Sequence, residues 1–587
     1  MRFFRMFSNA VIAGGLGAVY LAVLFLQLNP EVPLYPMNLA PLFVTIALSY
    51  GIHLAAFFYL VTVIRLILSA DLFSPGWVSL RVQSWLLVAD AGGVAALMWL
   101  NLSSYAPVLR HETSRRMAAG AALLTVCALA FLSVALVHYS FGRRKGHVGG
   151  SVVALALVAS LVLPLAARGP GASRPLFSRR LDVDQPRTTP RQTARVTLIL
   201  IDGGSLDFVS TAALQGKLPN FGRILDSGAA MHVATIRPTQ PGPVWTAVAT
   251  GKLPWKNGVR SAARYHVQAA HDPLDLLPDN CYAQGLVSFG LVRATEHTSA
   301  SLQARTLWSI LGSAGLSAGI VNWPLTSPAL PVRGYLVSDR FYRPADPWLE
   351  PDDPASIYPL DLLPVARSAG ESVRRSPELG TLLAAFPTSG FRKQVSEGQP
   401  VLTDRMYEQI SRTLDDRVRP NLTAVRLRQL DFAGHEFLRY AIPTQFGDVT
   451  EDEQRRYGTV LEQAYSRIDA IVGRSLASLG PEDLLLVISG YGMEPMSIGK
   501  RLLERAIGDP DRAGTHEAAP DGFMLAYGAA VEPGRKKVAS VLDVAPTVLY
   551  YLGMPVGRDM DGYVRTDVFT RDFTDPRPLA SIPTYER

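Results

Sequence analysis

Carboxylates and imidazoles are the side chains that bind metals and move protons, and a few of them fall at informative places. The run Val196 to Leu200, apolar apart from Thr197, ends in Ile201-Asp202-Gly203-Gly204. Such a run predicts a buried parallel strand that delivers a carboxylate at its C-terminal end, where open α/β sheets place their ligands. Asp431 and His435 stand four apart in Gln429-Leu-Asp-Phe-Ala-Gly-His435, and His516 follows in Gly514-Thr-His-Glu517. On spacing alone an Asp and a His four apart are commonplace. Asp90 lies near the middle of a long apolar segment, with His53 in the preceding one as a candidate partner. A carboxyl group at that depth must face protein or water, and marks either a functional site or a packing contact between spans.

The elements that position these residues divide the chain in two. At 587 residues it is too long for one ordinary domain, and most of its hydrophobicity is held in residues 1–167. Five segments there reach the ~20 apolar residues that a bilayer crossing needs. They are Ala10–Leu28, Leu39–Ile64, Val82–Leu100, Met117–His138 and Val148–Leu165. The first does not read as a cleaved signal, because further spans follow and no small-residue cleavage site stands out. Arg2 and Arg5, then Arg65 and Arg81, then Arg143, Arg144 and Lys145 flank alternate joints, whereas the first joint, Asn29 to Asn38, has no Lys or Arg. That pattern predicts the N-terminus inside and, after five crossings, the C-terminal domain outside. Arg110, Arg115 and Arg116 in the third joint run against it. The expected location is the bacterial inner (plasma) membrane, with the large domain extracytoplasmic. Cys127 lies in a span and Cys281 in the polar half, so no disulfide is expected between them.

Residues 168–194, rich in Pro and Arg, form a linker that is either a plain tether or a rest on anionic headgroups. From Arg195 onward strands alternate with helices, which predicts a mainly parallel sheet with helices on both faces. The expected strands are Val196–Ile201, His232–Thr235, Gly319–Asn322, Tyr335–Ser338, Val425–Leu430, Leu484–Ser489 and Phe523–Tyr527. Helical periodicity marks Leu302–Leu311 and Glu451–Leu479. Residues 340–404, rich in Pro, Asp and Ser, read as an insertion or cap rather than sheet. The domain is expected to span 195–571, followed by a tail, 572–587.

Several blocks in order resemble the type I phosphodiesterase/nucleotide pyrophosphatase family of the alkaline phosphatase superfamily. They are the strand ending in Asp202-Gly203, Leu218-Pro-Asn-Phe221, the Pro238-Thr239 loop, Trp245-Thr-Ala-Val-Ala-Thr-Gly251, and Ile320-Val-Asn-Trp-Pro-Leu-Thr-Ser-Pro328. Further on come Gly334-Tyr-Leu-Val-Ser-Asp339, the Asp-x-x-x-His block at 431–435, Ile488-Ser-Gly-Tyr-Gly-Met493, Gly514-Thr-His-Glu517 and Val541-Leu-Asp-Val-Ala-Pro-Thr-Val-Leu-Tyr-Tyr-Leu-Gly553. The likeness spans about Arg195 to Gly562 and implies an alkaline-phosphatase-like α/β domain behind the α-helical membrane region.

The resemblance implies one zinc site at Asp431, His435 and His516, a ligand set that leaves the fourth position open as catalytic zinc requires. Asp431 and His435 are expected to leave one strand end and turn back together, with Gly434 allowing the bend. The family's second zinc uses the first Asp, the nucleophile and an adjacent Asp-His pair. Here Asp202 remains, but Pro241 stands at the nucleophile position and Gly490 and Tyr491 replace the pair. A second ion is therefore not expected, and proline cannot form a phospho-enzyme. Thr239 is a distant substitute nucleophile, Thr246 lies on the following helix, and Asn257 stands where the family has His. Asp202 is left as one metal ligand or as a hydrogen-bond partner of the helix N-terminus beside it. The implied function is a membrane-anchored phosphodiesterase-like protein, weak or inactive as a hydrolase. The alternatives are a pseudoenzyme acting as a binding or scaffold module in the envelope, and a lipid-headgroup-type transferase. Membrane lipids and a phosphodiester or envelope ligand are the expected partners, and nucleic acid is not.

Overall fold

The computed structural model describes residues 1–68, 76–140, 147–169, 190–342, 353–383, 400–507 and 512–586, so most of the predicted linker and the fourth joint fall outside the described residues. The chain forms two compact units. One is Met1–Leu176 with Ala263–Glu296, the other Phe177–Ala262 with His297–Arg587.

Among the described residues of the first unit, five helices are long and apolar enough to cross a membrane, as predicted: α1 (Arg2–Leu28), α2 (Pro36–Leu68), α3 (Leu80–Tyr105), α4 (His111–Ser140) and α5 (His147–Arg168). The most buried of them, α1, packs against α2, α3 and α5. Small residues allow this, since apolar side chains gain little from leaving lipid and close backbone approach must supply the attraction. A Cβ on Gly14 would sit 2.5 Å from the Gly51 carbonyl oxygen of α2. Asp90 is buried on α3 facing α1, where a Cβ on Gly17 would meet its Oδ1 at 2.5 Å, and its Oδ2 has no hydrogen-bond partner. His53 is not its partner: the ring is exposed and bonds the Ser49 carbonyl one turn back on its own helix.

The segment 263–296, which interrupts the polar half of the sequence, belongs to this unit. Ala263–Val267 and Val292–Glu296 pair as an antiparallel hairpin. The chain between them is tied to the ends of three membrane helices. Asn29 accepts from Asp275 N and Leu276 N at 2.8 Å, Asn38 from His271 N and Asp272 N, and Asn101 from Asp279 N at 2.7 Å, while the Tyr105 hydroxyl donates to the Leu277 carbonyl at 2.7 Å. Polar side chains at helix ends thus satisfy a loop backbone that has no ladder of its own. Periodicity carried no sign of this, because the ties are single polar side chains 172 to 247 residues away in sequence. Cys127 and Cys281 are both free thiols.

The second unit is built on a ten-stranded sheet: β1 (Arg195–Ile201), β2 (Ala229–Ala234), β3 (Ala318–Val321), β4 (Gly334–Val337), β5 (Ile357–Tyr358), β6 (Leu422–Leu427), β7 (Asp483–Ser489), β8 (Gly522–Tyr527), β9 (Gly534–Arg535) and β10 (Ala539–Ser540). Their spatial order is β9-β2-β8-β7-β1-β6-β3-β4-β5, with β10 also on β2. The centre is parallel, with Ile201 opposite Leu427 on one side and Ser489 on the other; β8 runs antiparallel between β7 and β2. Central strands covered on both faces read as continuous apolar runs, which is how β1 and β7 were legible.

Residues 340–404 differ from expectation. Ile357–Tyr358 pairs antiparallel with β4 as the sheet's edge, and the helix Leu363–Arg374 buries Ala366, Ala369 and Val373 in the main core. The segment is therefore part of the sheet and core, although 343–352 and 384–399 lie outside the described residues. A further difference bears on the site. β6 stops at Leu427, and Gln429–Ala441 is a helix, α9 below, where a strand was predicted to Leu430. Asp404, buried at the start of the helix Pro400–Val418, accepts from Arg428 N and Gln429 N at 2.8 Å and so caps that helix from a distance.

Candidate metal centre

The helices that matter here are α6 (Pro241–Thr250), α7 (Leu363–Arg374), α8 (Pro400–Val418), α9 (Gln429–Ala441) and α10 (Ile498–Ile507). Asp202, the N-terminus of α9 and Gly490 follow the carboxyl ends of β1, β6 and β7, three adjacent parallel strands. The turn after β1 takes Gly203 to φ 77°, and a Cβ there would approach the Asp431 Cα to 3.1 Å, so glycine is needed for both the turn and the contact.

Asp431 and His435 occupy successive turns of one face of α9, which needs no bend. Gly434 instead makes room for Met493, whose Cε would lie 2.9 Å from a Cβ there. The His435 Nε2 lies 3.7 Å from one Asp431 oxygen and the His516 Nε2 3.9 Å from the other. All three ligand atoms lie within 4.8 Å of one another.

Each imidazole donates its Nδ1 hydrogen to a backbone carbonyl, His435 to Gly514 at 2.8 Å and His516 to Thr239 at 3.0 Å. This is the arrangement that orients metal-binding histidines, because it fixes the tautomer and leaves the Nε2 lone pair facing the site. Burial holds the His435 imidazole below its ordinary value against the opposing pull of Asp431, which favours the neutral, metal-binding form. The Asp431 Oδ1 is buried with no hydrogen-bond partner. A buried carboxylate oxygen left unpaired between two oriented imidazoles fits a cation, so the three residues suit one metal ion.

The neighbouring position is built differently. Asp202, 1 % exposed, is grasped by the buried Arg426 of β6, whose Nε lies 3.0 Å from Oδ2 and 3.1 Å from Oδ1 and whose Nη2 also bonds Oδ2. The Trp245 indole donates to Asp202 Oδ1 at 2.6 Å. Burial works against the Arg426 charge, but the adjacent Asp202 outweighs it and holds the guanidinium above its ordinary value. Asp202 therefore bonds a side chain of α6 rather than the backbone at its N-terminus, and its carboxylate is fully engaged. A guanidinium and an indole take the place of a second cation's charge and coordination.

The other departures agree. Pro241 is the first residue of α6, with Gln240 at the cap. A Cβ on Gly490 would meet Val244 Cγ1 at 2.6 Å, so the space for a longer side chain is filled. Tyr491 is fully buried, its ring 4.9 Å from that of His516, and burial followed by the charges of Asp202 and Asp431 pushes its phenol well above the ordinary value. A phenol kept protonated is a poor metal ligand. Asn257 bonds the Lys252 carbonyl and Val259 N, closing its own turn. Thr246 and Thr250 are buried within α6, with Thr250 Oγ1 bonded to the Thr246 carbonyl. Thr239 lies against the site through its carbonyl, and its hydroxyl is buried without a partner.

Arg426 and Trp245 were not anticipated from sequence. The signal was present for Arg426: a charge inside the run Ala424-Val-Arg-Leu427, in a strand covered on both faces, must have a buried partner.

A parallel-centred sheet with an Asp-His-His set at its carboxyl edge defines an alkaline-phosphatase-like domain. Residues 196–542 match the family "Type I phosphodiesterase / nucleotide pyrophosphatase", and the chain belongs to that family. Crystal structures of wild-type alkaline phosphatase PafA and of a substituted variant each align with 65% of this chain and 99% of their own, at 12% identity and a TM-score of 0.41. No curated protein matches the chain.

Proposed function

We propose that this protein is a membrane-anchored phosphodiesterase-like module that holds one zinc ion and binds a phosphorylated ligand in the cell envelope, with hydrolysis absent or severely reduced. The observation that carries the reading is the engagement of Asp202 by Arg426 and Trp245, which removes the last ligand of the second metal position. When bound, a single zinc supplies Lewis-acid charge neutralisation at a phosphoryl oxygen. Asp431, His435 and His516 hold and orient it, and the buried Tyr491 walls the site. Full-length protein purified without chelator is expected to contain about one zinc per chain, and His435→Ala or His516→Ala almost none. Two ions per chain, or none, would sink the proposal.

A one-metal hydrolase is the second reading, favoured by the buried, unpaired Thr239 hydroxyl beside His516. Robust wild-type turnover of an aryl phosphodiester, lost in both Thr239→Val and His435→Ala, would establish it.

The membrane orientation follows the Lys and Arg pattern, with the N-terminus inside and the domain outside. A reporter active only outside the cytoplasm, fused after Arg587, should be active; cytoplasmic labelling of the domain would overturn the assignment.

A further inference from the structure

We propose that a cluster of four arginines, Arg439, Arg501, Arg505 and Arg512, gathered beside Phe446 at the surface, is an anion subsite that takes a phosphate group of the ligand one helical turn from the metal ligands. Asp431, His435 and Arg439 recur every four residues on α9, so they share a face, and each step is a rise of about 6 Å. The other arginines are stitched to the same turn. Ala513 N donates to the His435 carbonyl at 2.7 Å, and Met496 N to the Ala513 carbonyl at 2.8 Å, which fixes both the loop bearing Arg512 and the entry to α10. Ala513 lines the pocket with the arginines.

Among the described residues, one carboxylate, Asp448, pairs with these arginines: its Oδ1 lies 3.1 Å from Arg439 Nη2, and its Oδ2 meets Arg505. Arg501 packs over the Phe446 ring, 4.9 Å from its centre. The Nε groups of Arg439 and Arg501 are sealed from water and have no acceptor. A buried donor without an acceptor is costly, and converging guanidiniums are the usual means of gripping phosphate with paired hydrogen bonds. The geometry points to a ligand with two anionic groups, one for the metal and one for the arginines. On α10, the helix that carries Arg501 and Arg505, Ile498 and Leu502 stand one turn apart and are 69% and 60% exposed, adding apolar surface to it. The phosphate could therefore belong to a soluble molecule or to a lipid headgroup.

The inference rests on the domain being a ligand-binding module, but it is tested without the metal. Chelator-treated full-length protein in detergent is titrated calorimetrically with inorganic phosphate and with short-chain phosphatidic acid. Phosphate is expected to bind, and to weaken at least about tenfold in Arg501→Gln/Arg505→Gln. If the double variant does not fold, Arg512→Gln, at an exposed position, serves with an expected severalfold loss. Phosphatidic acid binding tighter than phosphate, with the excess lost in Leu502→Ser, identifies a lipid source; equal affinities identify a soluble one. No phosphate binding, or binding indifferent to the arginine substitutions, overturns the subsite. Failure of the metal proposal appears separately, as unchanged metal content in His435→Ala.

Discussion

Arg426→Met is expected to destabilise the second unit by about 3–5 kcal/mol, because it strands the Asp202 carboxylate in a site that water does not reach. Asp202 is 1% exposed, and the one side-chain donor left to its carboxylate is the Trp245 indole. One neutral donor does not replace a guanidinium. The double variant Arg426→Met/Asp202→Asn removes both charges and keeps an acceptor for Trp245, so it should recover most of the loss. Breaking a buried pair from one side is expensive, whereas replacing both partners is nearly neutral. Denaturant melts of the two variants beside wild type decide the matter. A single substitution costing under about 1 kcal/mol would show that Asp202 is not held as described.

The second large effect concerns recovered activity. Pro241→Thr with Gly490→Asp and Tyr491→His introduces the residues that the family resemblance implies at these positions, yet this triple variant is expected to remain at the wild-type baseline. Arg426 would still hold Asp202, and Val244 Cγ1 would meet the new Cβ at position 490 at 2.6 Å. Adding Arg426→Ser and Val244→Ala frees the carboxylate and the space. That five-fold variant should take up a second ion and gain at least about a hundredfold in aryl phosphodiester turnover over the triple, since a two-metal clamp contributes several kcal/mol and each 1.4 kcal/mol is a factor of ten. A triple variant that is already active would mean that Arg426 yields readily and does not exclude the metal. A five-fold variant with two ions and no turnover would locate the loss elsewhere in the site.

Much of this molecule was legible in the sequence because its signals are local. Five long apolar runs became five helices, and the buried strands Arg195–Ile201 and Asp483–Ser489 ended where their apolar runs ended, each delivering its following residue to the carboxyl edge. Asp431, His435 and His516 came together as the family resemblance implied. The boundary at Leu427 was misread because Leu430 and Phe432 prolong the apolar character of β6, while the cap that starts α9 is a side chain 24 residues earlier, Asp404. Residues 357–374 were set outside the sheet and core because two-residue edge strands leave no periodic trace.

What only the tertiary structure decided is the state of Asp202. The sequence places a carboxylate at the end of a strand, and that residue type serves equally as metal ligand, helix cap or ion-pair partner. The choice is made by Arg426, 224 residues away on the adjacent parallel strand, and by Trp245, one helical turn beyond Pro241. The same holds for Asn29, Asn38 and Asn101, ordinary polar residues in the chain that anchor the segment 271–279 only because helix ends bring them beside it. Periodicity and composition report which face of an element is apolar. The partner of a buried charge is set by which strands and helices become neighbours, and that is fixed by the packing of the whole sheet rather than by any window of sequence.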